Sequence, residues 1–213
     1  NDRIISLIDG IYARAIYSYK NKCVEPILAS DGSIVIKSGR HPLIDRNKVV
    51  PVSLSLGEKY NYLLITGPNT GGKTVTLKLT GLFCLMAMSG LFIPAVAGSK
   101  ILVFEKIFCD IGDEQSIEQS LSTFSSHMKN VIKITENIDE NSLVLIDEIG
   151  AGTDPDEGSA LARAIIERLI EKNSKGIITT HYSALKEYAY KESRITNASM
   201  EFDPVTFKPL YKI

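Results

Sequence analysis

The sequence predicts an α/β fold, a mostly parallel central sheet flanked by helices with peripheral β-strands. Three observations carry this. Short apolar runs alternate with helical patterns between residues 62 and 190, the mark of a parallel sheet covered by helices. One strand-to-helix passage reads "GPNTGGKT", residues 67 to 74. Another apolar run, "LVLI", ends directly in two carboxylates, Asp147 and Glu148, where sheets of this class place their functional groups.

The elements follow in order. "RIISLIDGIYARAIYSYK" sets Ile4, Leu7, Ile8, Ile11, Ala15 and Tyr19 at helical spacing and ends on Lys20 and Lys22, a basic end that suits a helix C-terminus. Residues 1–24 are expected to be the last part of an upstream helical domain. Residues 25–213 are expected to form the α/β domain, with a boundary marked by Pro26 and Asp31-Gly32. "IVIK" reads as a strand and "SGRHPLIDR" as a loop. Then come strand "YLLIT", a helix over 72–89, strands "ILVF" and "KIFCDI", and a helix over 123–138. Strand "LVLID", a helix over 157–172, strand "GIITT" and a helix over 182–190 complete the alternation. The tail "ITNASMEFDPVTFKPLYKI" reads as hairpin-like strands around Asp203-Pro204.

Composition narrows the options. At 213 residues, the chain is long enough for one substantial core. A net charge of -1 leaves no basic excess that demands nucleic acid or an anionic membrane. Cys23, Cys84 and Cys109 are odd in number and lack C-x-x-C spacing, which argues against a disulfide framework or zinc site and for the reducing cytoplasm. The chain starts at Asn1 without Met and ends in the strand-like "LYKI", so it is expected to be an excised part of a longer protein. The uncharged stretch from Leu79 to Ser99 reaches membrane-spanning length. Ser89-Gly90 and Pro94 punctuate it, however, and a helix buried on all sides gives the same run.

"GPNTGGKT" satisfies G-x-x-x-x-G-K-[ST] between a strand and a helix, the context that pattern requires. Its glycines let backbone N–H groups converge on phosphate oxygens at a helix N-terminus. The expected nucleotide contacts are Gly67, Pro68, Asn69, Thr70, Gly71, Gly72, Lys73, Thr74 and Val75. Lys73 would reach the β- and γ-phosphates and Thr74 would place its hydroxyl on Mg²⁺. Asp147 would hold Mg²⁺ through water, and Glu148 would polarise the attacking water as general base. A strand running into acidic residues is common by itself, and the phosphate loop upstream gives this one its meaning. His181 follows "GIITT" at the end of another strand, close to where the γ-phosphate would sit, although a lone histidine is more often structural. Ser122 offers an N-cap before Phe124, Met128, Val131 and Ile132 on one helical face, which read alone is only a capped amphipathic helix.

These four elements, with the glycine-rich "GAGTDPDEG" after the carboxylates, resemble the ATP-binding-cassette class of ATPases. More closely they resemble the MutS family, through "RHPLI", "ITGPNTGGKT", "DIGDEQSIEQSLSTFSSHM", "LVLIDEIGAGT" and "TTHY". "DEIGAGTDPDEGSALARAI" and "IGDEQSIEQSLSTFSSHM" look like its second branch, which lacks the mismatch-reading domain. The resemblance implies an ATPase that closes as a head-to-tail homodimer. Ser122 and the N–H groups of Thr123 and Phe124 would then serve the partner's nucleotide in trans. Asp110 to Gln115 would relay the nucleotide state, "GAGTDP" would cross the dimer seam, and His181 would sense the γ-phosphate. Val49 and Val50 would give adenine an apolar contact. The resemblance further implies that residues 1–24 end a core and clamp domain, and that the ATPase domain stops short of its last helices. A small nuclease-like or RNA-binding domain would follow. Its implied targets are branched DNA, clamped to suppress homologous recombination, or stalled ribosomes. A transporter subunit would share the chemistry but conflicts with "RHP", "STFSSHM" and the N-terminal helix.

Overall fold

The structure, a computed structural model, describes residues 2–68, 71–112, 120–204, 206, 210 and 213, with the side chains of 120–123 set aside. Among the described residues, five helices and nine strands run in the order α1 (Asp2–Lys20), β1 (Ile27–Leu28), β2 (Ile34–Gly39), β3 (Val52–Leu56), β4 (Tyr62–Thr66), α2 (Lys73–Met88), β5 (Lys100–Ile101) and β6 (Lys106–Asp110). There follow α3 (Ser120–Asn137), β7 (Ser142–Ile146), α4 (Pro155–Glu171), β8 (Lys175–Thr180), α5 (Ser183–Lys191) and β9 (Ile195–Ser199).

The strands form two sheets. The larger has the order β6-β7-β8-β4-β9 and every pairing in it is parallel. A smaller sheet, β1-β5-β2-β3, supplies the peripheral strands. Strands β4 and β7 are buried at all five positions, as a parallel strand covered on both faces must be. Alternation then divides the core in two. Leu63, Ile65, Leu143, Leu145 and Ile177 face α2 and the small sheet. Tyr62, Leu64, Val144, Ile146 and Ile178 face α3, α4 and α5.

This sandwiching explains the uncharged stretch. Helix α2 lies between the sheets, with Leu77, Leu79, Phe83 and Cys84 fully buried. It ends at Met88, and Ile93 and Ala95 in the following loop return to the same core. No helix among the described residues is long and apolar enough to cross a membrane. Helix α4 begins where its sequence dictates: Asp154 accepts hydrogen bonds from the N–H groups of Asp156 and Glu157, Pro155 takes the first helical position, and two acids occupy the first turn.

Several expectations are corrected. "VSLSL", not among the expected strands, forms β3 with perfectly alternating burial, the period-2 pattern of a half-buried strand. Of "ILVF" only Ile101 lies in a strand, the two-residue β5 that starts at Lys100, and Val103 is exposed where the chain leaves the sheet. "ITNAS" joins β4 in parallel as the edge strand β9, while most of the tail after Pro204, where the hairpin-like strands were expected, lies outside the described residues. Beyond β9, the Leu210 N–H donates to the Glu201 carbonyl at 3.0 Å. Helix α3 already includes Ser120, so Ser122 lies within the helix rather than at its cap; the residues just before Ser120 lie outside the described residues. Its core face is Val131 and Ile134, continued by Ile138 just past its end, while Ile132 is exposed. Helix α1 buries no residue and leaves Ile4, Leu7, Ile8 and Ile11 more than half exposed.

Candidate functional site

The phosphate loop leaves β4 at its carboxyl end. Gly67 (φ 130°) and Gly72 (φ 98°) hold backbone conformations that L side chains rarely adopt, which explains glycine at both. The Gly71 N–H donates to the Pro68 carbonyl at 3.1 Å, and Gly72 caps α2. Lys73 opens that helix at 1% exposure, and its Nζ donates to the Gly67 carbonyl at 2.6 Å. An ammonium so deep needs partners of opposite polarity, and the loop is shaped to gather them. Val75 is half-buried in the same first turn and Pro68 is exposed. Asn69 and Thr70, also expected here, lie outside the described residues.

Three strand ends converge on this loop. Asp147 follows β7 at 9% exposure, and its N–H donates to the Asp110 carbonyl at the end of β6 at 2.8 Å. Thr74 Oγ1 donates to Asp147 Oδ2 at 2.5 Å, joining residues 73 positions apart. Thr179 Oγ1, from β8, donates to Asp147 Oδ1. Glu148 takes a left-handed backbone (φ 50°), which costs a non-glycine residue about 1–3 kcal/mol. Its N–H donates to Thr179 Oγ1 at 2.8 Å, and the next N–H, of Ile149, donates to the Thr179 carbonyl at 3.0 Å.

His181 is exposed and lies one residue beyond the Thr66–Thr180 register pair, beside the root of the phosphate loop. Its ring meets that of Tyr182 with centroids 4.3 Å apart. Tyr182 is buried, and its hydroxyl donates to the Gly150 carbonyl at 2.8 Å. This ties the end of β8 to the "GAGT" turn. Gly150 and Gly158 touch backbone to backbone there: a Cβ on Gly158 would lie 2.5 Å from both the Gly150 carbonyl oxygen and the Tyr182 hydroxyl.

Asp110 is a second junction. Its Oδ2 lies 2.9 Å from His127 Nδ1 and its Oδ1 accepts from Asn130 Nδ2 at 2.9 Å, both on α3. Asn130 also donates to the Cys109 carbonyl at 3.0 Å. Helix α3 is thus fastened to the strand that supports Asp147. In the "RHPLI" loop His41 is buried near α2; burial first, then the charge of Lys78, push its pKa below the ordinary value.

The structure therefore brings together Gly67, Gly72, Lys73, Thr74, Asp147 and Glu148, with His181 at the neighbouring strand end. Val49 and Val50 are half-buried in the loop that enters β3, a strand of the small sheet. Residues 113–115 and the side chains of Ser122 and Thr123 fall outside the described residues. Sequence reading missed Thr179, His127 and Asn130 as partners of the carboxylates. The signal for Thr179 was visible as a hydroxyl at the functional end of an apolar strand; nothing local pointed to the other two.

Comparison with known proteins agrees with this geometry. A family model described as MutS domain V matches residues 63–210. The chain is 57% identical over 206 residues to a protein of Caldicellulosiruptor bescii named Endonuclease MutS2, covering 97% of this chain and 26% of that protein. It is 58% identical over 210 residues to a Clostridium botulinum protein of the same name, covering 99% of this chain and 27% of that one. The chain thus spans about a quarter of the length of the curated relatives it matches. With a phosphate loop, a strand-end carboxylate pair and a matched domain V on one parallel sheet, the chain belongs to the MutS family and is of the MutS2 type.

Proposed function

We propose that this chain is the ATP-binding and ATP-hydrolysing motor domain of a MutS2-type protein, converting ATP and water to ADP and phosphate. The observation that carries the reading is the contact of Thr74 Oγ1 with Asp147 Oδ2, beside the buried Lys73 and with Glu148 next in the chain. Hard oxygens in this arrangement suit Mg²⁺, which prefers carboxylate and hydroxyl ligands and keeps several waters. Thr74 and Asp147 would hold it. Mg²⁺ bound with ATP supplies charge neutralisation at the phosphate oxygens.

The chain's own residues do the rest. Backbone N–H groups of the loop and of the first turn of α2 bind the phosphates, with favourable dipole charge. Lys73 adds a positive charge at the β- and γ-phosphates, and His181 reads the γ-phosphate from the adjoining strand end. Glu148 accepts a proton from the attacking water. The expected result in a phosphate-release assay is turnover by the intact protein and its loss in Lys73→Ala. Equal release from both would sink the assignment.

We infer further that two copies meet head to tail, with Ser122, Thr123 and the first turn of α3 completing the partner's site. ATP closes the dimer and hydrolysis opens it, because γ-phosphate contacts exist in one state only. Residues 1–24 would end an upstream domain, a reading supported by the apolar stripe that α1 leaves exposed. Cys23, Cys84 and Cys109 are free, in keeping with the cytoplasm. The relatives are named endonucleases, so the proposed target is nucleic acid, specifically branched DNA. Cutting chemistry belongs to the remainder of such a protein. Co-sedimentation of the intact protein with branched DNA is the expected result; co-sedimentation with ribosomes instead would overturn the DNA assignment.

A further inference from the structure

We propose that Thr179 is a positioning residue that sets the two carboxylates for their separate tasks, an inference resting on the ATPase reading above. Thr179 is fully buried near the end of β8. Its hydroxyl has one proton to give and lone pairs to receive, and both capacities are used on consecutive residues. An ionised carboxylate only accepts, so the proton goes to Asp147 Oδ1. A backbone N–H only donates, so the lone pair receives the N–H of Glu148 at 2.8 Å. The carbonyl of the same threonine receives the N–H of Ile149 at 3.0 Å.

Two consequences follow from this geometry. With Oδ1 engaged, Oδ2 is the Asp147 oxygen turned to Thr74 and the phosphate loop. The carboxylate cannot rotate about its own axis without breaking a buried hydrogen bond. Glu148 is held at φ 50° by a peptide N–H fixed to β8, a conformation that a non-glycine residue keeps only when its surroundings impose it. One hydroxyl therefore selects the metal-facing oxygen of Asp147 and the direction in which Glu148 leaves the sheet.

A hydroxyl that only stabilised the core would affect folding and nothing else, so the test separates the two. In the intact protein, Thr179→Val preserves the β-branched shape and removes the hydroxyl, Thr179→Ala is a second hydroxyl-free chain, and Thr179→Ser keeps the hydroxyl and loses the methyl. Phosphate release, melting temperature and ATP affinity by calorimetry with and without Mg²⁺ are measured for each. The valine chain, or the alanine chain if valine does not fold, is expected to lose kcat about tenfold or more. The gain in ATP affinity on adding Mg²⁺ should shrink several-fold, while affinity without Mg²⁺ stays within about twofold. Serine should keep kcat within about threefold even where its melting temperature drops.

Wild-type kcat and Mg²⁺ gain in the hydroxyl-free chains would overturn the inference, as would losses in all three variants that simply track melting temperature. Failure of the ATPase reading is distinguishable: wild type would then release phosphate no faster than Lys73→Ala. In that case the Mg²⁺-dependent ATP affinity of the valine and serine chains still decides the role of Thr179.

Discussion

Thr74 Oγ1 and Asp147 Oδ2 stand 2.5 Å apart although one lies in the first turn of α2 and the other follows β7. The contact exists because β4 and β7 both pair with β8 in parallel, so their carboxyl ends open on the same edge of the sheet. Glu148 follows at once, where a general base contributes about 100- to 10,000-fold. Glu148→Gln should lower kcat by that order and leave ATP affinity in place. Calorimetric titration beside a phosphate-release assay checks it, and parallel losses of both quantities would count against the assignment.

The close approach of Gly150 and Gly158 gives a stability prediction. A methyl group on Gly158 would meet the Gly150 carbonyl oxygen and the Tyr182 hydroxyl at 2.5 Å. Overpacking of this kind costs about 1–3 kcal/mol. Gly158→Ala should lower the urea midpoint accordingly and loosen the turn that follows Glu148, although alanine is the better helix former.

Asp110, His127 and Asn130 fasten α3 to β6. The Asp110 side chain is 8% exposed and that of His127 is 31% exposed, so the pair is partly screened. Asn130→Ala removes a hydrogen bond to a buried carboxylate and should cost about 1–2 kcal/mol. A double-mutant cycle between Asp110→Asn and His127→Ala should show coupling, measured by chemical denaturation; additive losses would mean that the two groups do not act together.

Cys84 gives a pH prediction. Burial within α2 pushes its thiol from 9.0 up to about 12. In the native chain the thiol keeps its proton above pH 9, whereas the unfolded chain releases it there. The native state then binds more protons, so this group's contribution to stability falls as pH rises from about 9 toward 12. Urea melts at pH 8 and pH 10 should show a smaller pH-dependent loss in Cys84→Ala than in wild type. At pH 8, Cys84 in the folded protein should also resist alkylation.

The legible parts of the sequence were those with strong local signals. The phosphate loop, the apolar β7 run into Asp147 and Glu148, and the Asp154-Pro155 start of α4 are each written within a few residues. Strand β3 was equally legible, in the strict alternation of "VSLSL". The direction of β9 was not legible, because a parallel and an antiparallel edge strand use the same residue types. Register with β4 decides it.

The order of residues along the chain sets the chemistry available here: glycines where backbone must turn, a lysine and a threonine at the start of α2, and two carboxylates at the end of β7. Alternating burial and strand-to-helix order follow from side-chain period and hydrophobicity, which are local properties. The partners of these groups come from the packed fold. It brought Thr179 to both Asp147 and Glu148 from 32 and 31 positions away, and joined Asp110 to α3. Hydrogen bonds between distant residues depend on strand order and register, and the packing of the whole core fixes those.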